Sequence, residues 1–183
     1  MAGKEGNIMK HPTITKVSHL LMDKLIDKSM TGVDMTVGKG NDIDFLCERC
    51  GFVYGFDIQK QAIEITADRL QNYSNYKLIN DDHVNILDYI NEPIDFAVYN
   101  LGYLPGFDKS ITTNAETTLQ SLRYVFELLK PFGWVLICFY PGHEQGRKEL
   151  DIVEEFLSSD EYLVSMYQTK IVSSPVLYLI SKK

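Results

Sequence analysis

The stretch from Val33 to Asp57, VDMTVGKGNDIDFLCERCGFVYGFD, alternates between two patterns of secondary structure. Its apolar runs, Val33–Val37 and Phe52–Phe56, have the length and composition of buried strands. The run from about Asp42 to Cys50 between them is amphipathic and typical of a helix. A strand, a glycine-containing loop, a helix and a second strand form a unit whose two strands are parallel. This stretch therefore predicts an α/β protein.

The same alternation continues through the rest of the chain. An amphipathic helix over residues 14–29 precedes the opening stretch. Further strands are predicted at residues 76–79, 94–99, 134–139, 163–171 and 176–180, and further helices at 59–72, 84–89, 115–129 and 145–157. Apolar strands that alternate with amphipathic helices predict a seven-stranded, mostly parallel sheet with helices on both faces.

The composition indicates one domain and restricts its partners. The chain has 183 residues, 45% of them hydrophobic, so we expect a flexible leader at residues 1–12 and a single domain at residues 13–183. No apolar run approaches the roughly 18 residues of a membrane span, and the N-terminus lacks a signal-peptide pattern, so we expect a cytoplasmic protein. The three cysteines do not form a zinc-ligand pattern, and no metal is expected. The net charge of −7 means that an RNA partner would need a local basic patch.

The loops after the predicted strands carry polar residues where ligands bind in sheets of this kind. Gly38 and Gly40 have the spacing that lets a backbone approach a ligand closely. The loop lacks the third glycine of a dinucleotide motif, and the carboxylate of Asp42 would repel a pyrophosphate. Asp57, which ends the second strand, can accept hydrogen bonds from both hydroxyls of an adenosine ribose. The loops therefore predict an adenosine ligand without phosphates.

Acidic groups around this predicted site suit a ligand that carries positive charge. S-Adenosylmethionine combines an adenosine with a sulfonium and an ammonium, and Asp34 is expected to face its cationic amino-acid part. Asp82 and His83 are expected to face the adenine. The predicted cofactor-binding residues are Asp34, Thr36, Gly38, Gly40, Asn41, Asp42, Asp57, Ile58, Gln59, Asp82, His83, Asn100 and Gly102. The alternative is that the acidic residues only cap helices or turns.

Residues 95–113, DFAVYNLGYLPGFDKSITT, begin as a buried strand and then break into an amide, glycines and an aromatic residue. A carboxamide oxygen and a backbone carbonyl can accept the two N–H bonds of an amine, which aims the nitrogen lone pair, while an aromatic ring packs on a planar base. Asn100, the carbonyl of Leu101 and Tyr103 stand in the right order for these roles. The alternative is a simple Asn-Gly turn with an incidental tyrosine.

These motifs together resemble a known family. The motifs are DMTVGKGNDIDFL (34–46), YGFDIQ (54–59), YNLGYLPGFDKSITT (99–113) and YPGHEQG (140–146). In this order and in a chain of this length they are similar to the small bacterial class I methyltransferases once labelled rRNA methylases, a family associated with tRNA 5-(aminomethyl)-2-thiouridine methyltransferase activity. The resemblance extends from about Val17 to the C-terminus and implies the Rossmann-like fold of class I methyltransferases.

The resemblance implies transfer of a methyl group from S-adenosylmethionine to the aminomethyl nitrogen of a tRNA wobble uridine. S-Adenosylhomocysteine would be the second product, and the partner would be the tRNA anticodon stem-loop. Asn100, Tyr103 and His143 are the candidate catalytic residues. The candidate substrate-binding residues are Tyr103, Leu104, Pro105, Asp108, Lys109, Thr112, His143 and Arg147. A homodimer that joins two basic edges is a further hypothesis.

An alkyl amine has a pKa of about 10, so it must lose a proton before it attacks the methyl group. His143 and Asp108 are candidate proton acceptors, whereas His143 as a helix cap and water as the acceptor are the alternatives. Three other functions stay open from the sequence. They are methylation of ribosomal RNA or a small amine, a noncatalytic adenosine-binding module, and a nicotinamide oxidoreductase.

Overall fold

Seven strands form one sheet in the computed structural model, which describes residues 12–102, 113–171 and 173–183. The strands are β1 (Thr31–Asp34), β2 (Phe52–Phe56), β3 (Tyr76–Ile79), β4 (Ile94–Asn100), β5 (Leu129–Phe139), β6 (Tyr162–Gln168) and β7 (Val176–Lys182). Their order is β3-β2-β1-β4-β5-β7-β6. The first five are parallel, and β7 runs antiparallel to both β5 and β6. The predicted mostly parallel, seven-stranded α/β sheet is confirmed.

Helices follow the strands in the predicted alternation. They are α1 (Ile14–Leu25), α2 (Asn41–Arg49), α3 (Lys60–Arg69), α4 (Ala115–Leu128) and α5 (Glu144–Leu157), with a short 3-10 helix over His83–Asp88. Residues 1–11 of the predicted leader lie outside the described residues. No helix of the described residues is both long enough and apolar enough to cross a membrane.

Several predicted boundaries were wrong. β5 begins at Leu129 instead of residue 134, β6 ends at Gln168 instead of residue 171, and α3 ends at Arg69 instead of residue 72. The first strand spans Thr31–Asp34 instead of Val33–Val37. It includes Gly32, which packs closely against Phe96: a Cβ atom on Gly32 would lie 2.0 Å from the Cζ atom of that ring. The first helix ends at Leu25, short of residue 29, because Ile26 adopts an extended conformation with φ −113° and ψ 150°. Apolar periodicity does not reveal either close packing or this backbone change.

The core has two layers, one on each face of the sheet. Along β4, Phe96 and Val98 face a cluster that includes residues of α1 and α2. Ala97 and Tyr99 face the other cluster, which includes residues of α4 and α5. This alternation is the two-residue period of a strand that is buried on both faces.

The sheet positions a ligand site between β1 and β4. The strand order reverses at this point, since β1 pairs with β2 on one side and with β4 on the other. The loops that follow β1 and β4 therefore diverge to opposite faces of the sheet and leave a crevice at the carboxyl ends of the strands, where ligands bind in open α/β sheets.

Candidate active site

A cavity of about 680 Å³ lies at the carboxyl ends of β1, β2 and β4. Most of the described residues that the sequence predicts for the site line it: Thr36, Gly38, Asn41, Asp42, Asp57, Ile58, Gln59, Asp82, His83, Asn100, Gly102 and His143. Asp34, Gly40 and Arg147 do not line it. The predicted substrate residues Tyr103, Leu104, Pro105, Asp108, Lys109 and Thr112 lie outside the described residues.

The glycine loop is joined to the end of β2 through Asp57. The N–H groups of Gly38 and Gln59 each donate to one carboxylate oxygen of Asp57, both at 2.8 Å. Burial raises the pKa of Asp57, and these two N–H donors act in the opposite direction. Each oxygen keeps a further lone pair, so the fixed carboxyl group can still accept hydrogen bonds from a ribose.

Gly40 has a structural role just outside the cavity. Its φ of +76° is left-handed, and a Cβ atom at this position would lie 2.8 Å from Oγ1 of Thr66. Only glycine meets both requirements without strain. Asn41 follows as the first residue of α2, and its side-chain oxygen accepts a hydrogen bond from Arg69 at 2.7 Å.

Of the two acidic residues Asp34 and Asp42, only Asp42 lines the cavity. Asp34 is 1% exposed, its Oδ1 accepts a hydrogen bond from the N–H of Thr36 at 3.0 Å, and its Oδ2 finds no partner among the described residues. Burial, followed by repulsion from Asp42, raises the pKa of Asp34 well above its usual value. Asp34 is therefore too buried for the predicted contact with a cationic group of a ligand, whereas Asp42 lines the cavity.

The loop after β3 places an imidazole in the cavity wall. Asp82 caps the 3-10 helix, because its Oδ1 accepts the N–H of Val84 at 3.0 Å. The ring of His83 packs edge-on against Tyr99 with centroids 5.9 Å apart. Burial lowers the pKa of His83 and favours its neutral form. Its buried Nε2 has no hydrogen-bond partner in the described part of the chain, so it is suited to a polar group of a ligand such as adenine.

Asn100, the last residue of β4, is held by three groups. Its N–H donates to Oγ1 of Thr36 at 2.7 Å, and its side-chain oxygen accepts the hydroxyl of Tyr140 at 2.9 Å. Its Nδ2 lies 3.4 Å from Oδ2 of Asp42. The carboxamide is thus oriented between two other residues of the cavity wall. Tyr140 is not among the residues predicted for the site, because its contact with Asn100 joins positions 40 residues apart in the chain.

His143 caps α5. Its Nδ1 accepts the N–H of Gly146 at 3.0 Å, so in the neutral ring the proton lies on Nε2. The basic lone pair of the neutral ring is then already used in the cap. This geometry favours the alternative that His143 is a capping residue, and we do not assign it the role of proton acceptor. Arg147, one turn further along α5, forms an ion pair with Asp151 at 2.9 Å.

The segment that carries Tyr103 has its two flanking residues joined at the cavity. The N–H of Gly102 donates to Oγ1 of Thr113 at 3.0 Å, and the N–H of Thr113 donates to the carbonyl of Gly102 at 3.2 Å. Gly102 has φ +122°, which favours glycine. Both residues line the cavity, so the described residues on either side of 103–112 lie at its rim.

The described side chains do not assemble a metal site. Within residues 12–102, 113–171 and 173–183 no group of three or more His, Cys, Asp or Glu side chains is placed to hold a metal ion. Cys47 and Cys50 are buried, which raises the pKa of each thiol to about 12. Neither thiol is therefore in a reactive, ionised form at neutral pH.

Comparisons with known proteins give consistent results. Residues 53–180 match the family described as "Putative rRNA methylase". The chain is 33% identical over 198 residues to the chloroplastic tRNA (mnm(5)s(2)U34)-methyltransferase of Arabidopsis thaliana, an alignment that covers 97% of this chain and 72% of the relative.

Two solved structures are similar over nearly the whole chain. One is a "putative rRNA-methylase" from Clostridium thermocellum, with a TM-score of 0.89, 35% identity, and coverage of 96% of this chain and 100% of the other. The second is a "putative methyltransferase" from Streptococcus mutans in complex with SAH, with a TM-score of 0.84, 35% identity, and coverage of 95% and 100%. The match to the family model, and the 33% identity to the relative from A. thaliana over 97% of the chain, show that this chain belongs to the rRNA methylase family and is a class I, S-adenosylmethionine-dependent methyltransferase.

Proposed function

We propose that this methyltransferase methylates the aminomethyl nitrogen of 5-aminomethyl-2-thiouridine at the wobble position of tRNA. The observation that carries the proposal is the orientation of the Asn100 carboxamide at the end of β4, between Asp42 and Tyr140. A carboxamide oxygen has two lone pairs, so Asn100 can accept an amine N–H in addition to the Tyr140 hydroxyl. The name of the relative from A. thaliana, a tRNA (mnm(5)s(2)U34)-methyltransferase, supports the same substrate.

The chemistry requires a neutral, aligned amine. S-Adenosylmethionine supplies a methyl group on a sulfonium: the amine lone pair forms the N–C bond as the C–S bond breaks, and the bonding pair stays on sulfur in S-adenosylhomocysteine. An alkyl amine with a pKa of about 10 is almost entirely protonated at neutral pH, so one proton must leave the nitrogen before it attacks the methyl group. Since the Nδ1 lone pair of His143 is used in the helix cap, we propose water as the proton acceptor. The protein then contributes mainly alignment.

The cavity wall offers suitable groups to three parts of the cofactor: the ribose, the adenine and the amino-acid part. We propose that Asp57 accepts the ribose hydroxyls and that Nε2 of His83 binds the adenine. Ile58 lines the cavity with its side chain 60% exposed, and we propose that it packs on the adenine ring. Asp42 offers a carboxylate to the cationic amino-acid part. Thr36, Gly38, Gln59, Asp82 and Gly102 complete the proposed cofactor site.

The substrate side involves fewer described residues. The proposal assigns Tyr103 to stacking on the wobble base, and residues 103–112 to contacts with the anticodon stem-loop. Arg147 is half exposed near the start of α5, so it can contact a phosphate if its ion pair with Asp151 opens. Lys130 lies elsewhere: it pairs with Asp95 at 2.8 Å near the starts of β4 and β5, at the opposite ends of the strands from the cavity.

The decisive experiment offers the purified protein three RNAs with methyl-labelled cofactor. These are tRNA that carries 5-aminomethyl-2-thiouridine, the same tRNA without the aminomethyl group, and ribosomal RNA. We expect label only in the first, in a methylaminomethyl nucleoside identified by mass spectrometry. Methylation of ribosomal RNA alone would contradict the tRNA proposal and support the second candidate, which the description of the family favours.

A cellular measurement checks the same substrate. Cells that lack the gene should accumulate the aminomethyl nucleoside at the wobble position, and the gene should restore the methylated form. A variant with Asn100→Ala should fail to restore it. Unchanged wobble nucleosides in the deletion strain would contradict the proposal.

Two further properties stay predictions. The homodimer that joins two basic edges is one of them. The edge strand β6 has no Lys or Arg and exposes Leu163, Val164 and Met166, so it is an apolar edge and not one of the basic edges of that hypothesis. Light scattering that shows a monomer at working concentrations would contradict a homodimer. The cytoplasmic location also stays a prediction, since the relative from A. thaliana is chloroplastic; cell fractionation would test it.

A further inference from the structure

We propose that His19 and Tyr140 are positioning residues that set the orientation of the Asn100 carboxamide, with Asp42 as the link between His19 and Asn100. This proposal rests on the proposed function, in which Asn100 aligns an amine. It assigns a role in the reaction to α1, a helix that precedes the first strand and carries none of the motifs found in the sequence.

Four side chains form one continuous chain of polar contacts. Nε2 of His19 lies 2.6 Å from Oδ1 of Asp42, and Nδ2 of Asn100 lies 3.4 Å from Oδ2 of the same carboxylate. The hydroxyl of Tyr140 donates to the side-chain oxygen of Asn100 at 2.9 Å. The two oxygens of Asp42 are thus divided between a histidine of α1 and the asparagine of β4.

The chemistry of these groups permits one orientation of the amide. A carboxylate only accepts hydrogen bonds, so Asn100 must turn its NH₂ group toward Asp42. Its oxygen then lies on the other side, where the Tyr140 hydroxyl donates to it. Burial raises the pKa of Tyr140, which keeps the phenol protonated and able to donate. A carboxamide rotated by half a turn would present two N–H donors to an incoming amine and would have no acceptor for it.

The packing of α1 holds the histidine in place. The ring of His19 stacks on Phe45 of α2, with centroids 4.3 Å apart and an angle of 26° between the planes. Thr15 and Ser18, on the same face of α1, line a space of only about 10 Å³ together with Asp42 and Asn100. Because α1 covers the rear of the amide so closely, it restricts both Asp42 and Asn100 to the observed arrangement.

The first test compares kinetic constants of single variants. In Tyr140→Phe and His19→Ala we expect kcat to fall on the order of 10-fold, the size of a modest misalignment. In Tyr140→Phe, which leaves the contact between His19 and Asp42 in place, the dissociation constant for S-adenosylhomocysteine should be unchanged. His19→Gln should recover most of the loss, because its amide can donate to Asp42. Tyr178→Phe is the matched control: the Tyr140 hydroxyl donates to a carboxamide oxygen of the cavity wall, whereas the Tyr178 hydroxyl donates to the carboxylate of Glu154, away from the cavity. Equal losses in the control and in Tyr140→Phe would overturn the proposal.

The second test asks whether Tyr140 acts through Asn100. If it does, adding Tyr140→Phe to Asn100→Ala should reduce the residual rate by less than about twofold, since interacting residues give non-additive effects. A full further loss in the Asn100→Ala background would show an independent role of Tyr140 and would overturn the proposal.

The third test does not depend on methyl transfer. The carboxamide NMR signals of Asn100 can be assigned by their loss in Asn100→Ala, and their exchange with solvent measured without any substrate. We expect faster exchange in His19→Ala and near-normal exchange in His19→Gln. Exchange that is unaffected by His19→Ala would overturn the positioning role. If the wild-type protein methylates no tRNA amine while the NMR result is as expected, the proposed function fails and the orientation of Asn100 by His19 stands.

Discussion

The two sides of the cavity wall are held together by different kinds of contact. On the side of β1 and β2, backbone N–H groups of Gly38 and Gln59 donate to the carboxyl group of Asp57, 19 and 2 residues away in the chain. On the side of β4 and β5, side chains contact side chains: Asn100 contacts Asp42 and Tyr140, 58 and 40 residues away. We call the side of β1 and β2 the cofactor side and the side of β4 and β5 the amine side, after the roles proposed for them. Backbone N–H donors hold the cofactor side together, and side-chain contacts between distant residues hold the amine side together.

The largest effect should follow from a change on the amine side. Asn100→Ala removes the amine acceptor, and we expect methyl transfer to fall roughly 100- to 1,000-fold, the range found when one oriented transition-state contact is lost. Titration calorimetry with S-adenosylhomocysteine should show little change in affinity, because the cofactor side is held by Asp57 and the glycine loop. A parallel loss of cofactor affinity would show that the two sides are not separable.

A change on the cofactor side should have the converse effect. Asp57→Ala removes the proposed ribose acceptor and leaves two loop N–H groups without their carboxyl partner, so the affinity for S-adenosylhomocysteine should fall roughly 10- to 100-fold. At saturating S-adenosylmethionine the methylation rate should be largely retained. Asp151→Ala, which removes an exposed carboxylate outside the cavity, is the control. Equal affinities of Asp57→Ala and the control would contradict the assignment.

A buried carboxyl group behind the cofactor side should make stability depend on pH. Burial raises the pKa of Asp34, so the folded state retains a proton that the unfolded chain releases above the usual pKa of about 3.9. The stabilisation from this proton is complete below that pH and is lost as pH rises toward the raised pKa. Asp34→Asn has no such proton, so its free energy of unfolding should rise relative to wild type as the pH increases above about 4. Parallel stability curves from urea unfolding would contradict this.

The smallest effect should come from the exposed surface next to the amine side. Arg147→Ala breaks an exposed ion pair and should change the free energy of unfolding by less than about 0.5 kcal/mol. If Arg147 contacts a tRNA phosphate, the slope of log affinity against log salt concentration should decrease by about 1. Lys130→Ala, at the opposite ends of the strands, is the control and should leave this slope unchanged. Equal slopes for both variants would remove Arg147 from the interface.

The same distinction explains what the sequence predicts well. The alternation of apolar and amphipathic runs predicts the sheet, because each strand and helix contains its own pattern. The glycine loop and Asp57 are predictable for a similar reason, since a left-handed backbone and a strand end leave a local signal in residue type. The start of β1 is less predictable, because it includes Gly32, a residue type disfavoured in strands, and the packing of Gly32 against Phe96 is not visible in the local sequence.

The contacts of the amine side are less predictable. Asn100 is recognisable from the break in its own strand, but the sequence contains no local signal that His19 and Tyr140 contact the same network. The different positions of Asp34 and Asp42 relative to the cavity have a similar cause. Both are acidic residues of one motif, and only the turn of the chain after β1 determines that Asp34 is buried while Asp42 reaches the cavity.

The pair of hydrogen bonds between Gly102 and Thr113 has a consequence for design. These two residues are hydrogen-bonded to each other on either side of residues 103–112. The entropy cost of closing a chain segment between two joined residues grows only slowly with its length. We therefore expect that residues 103–112 can be replaced by a segment of different length or composition while the contact between Gly102 and Thr113 is kept, and such replacements would test which of these residues set the nucleoside specificity.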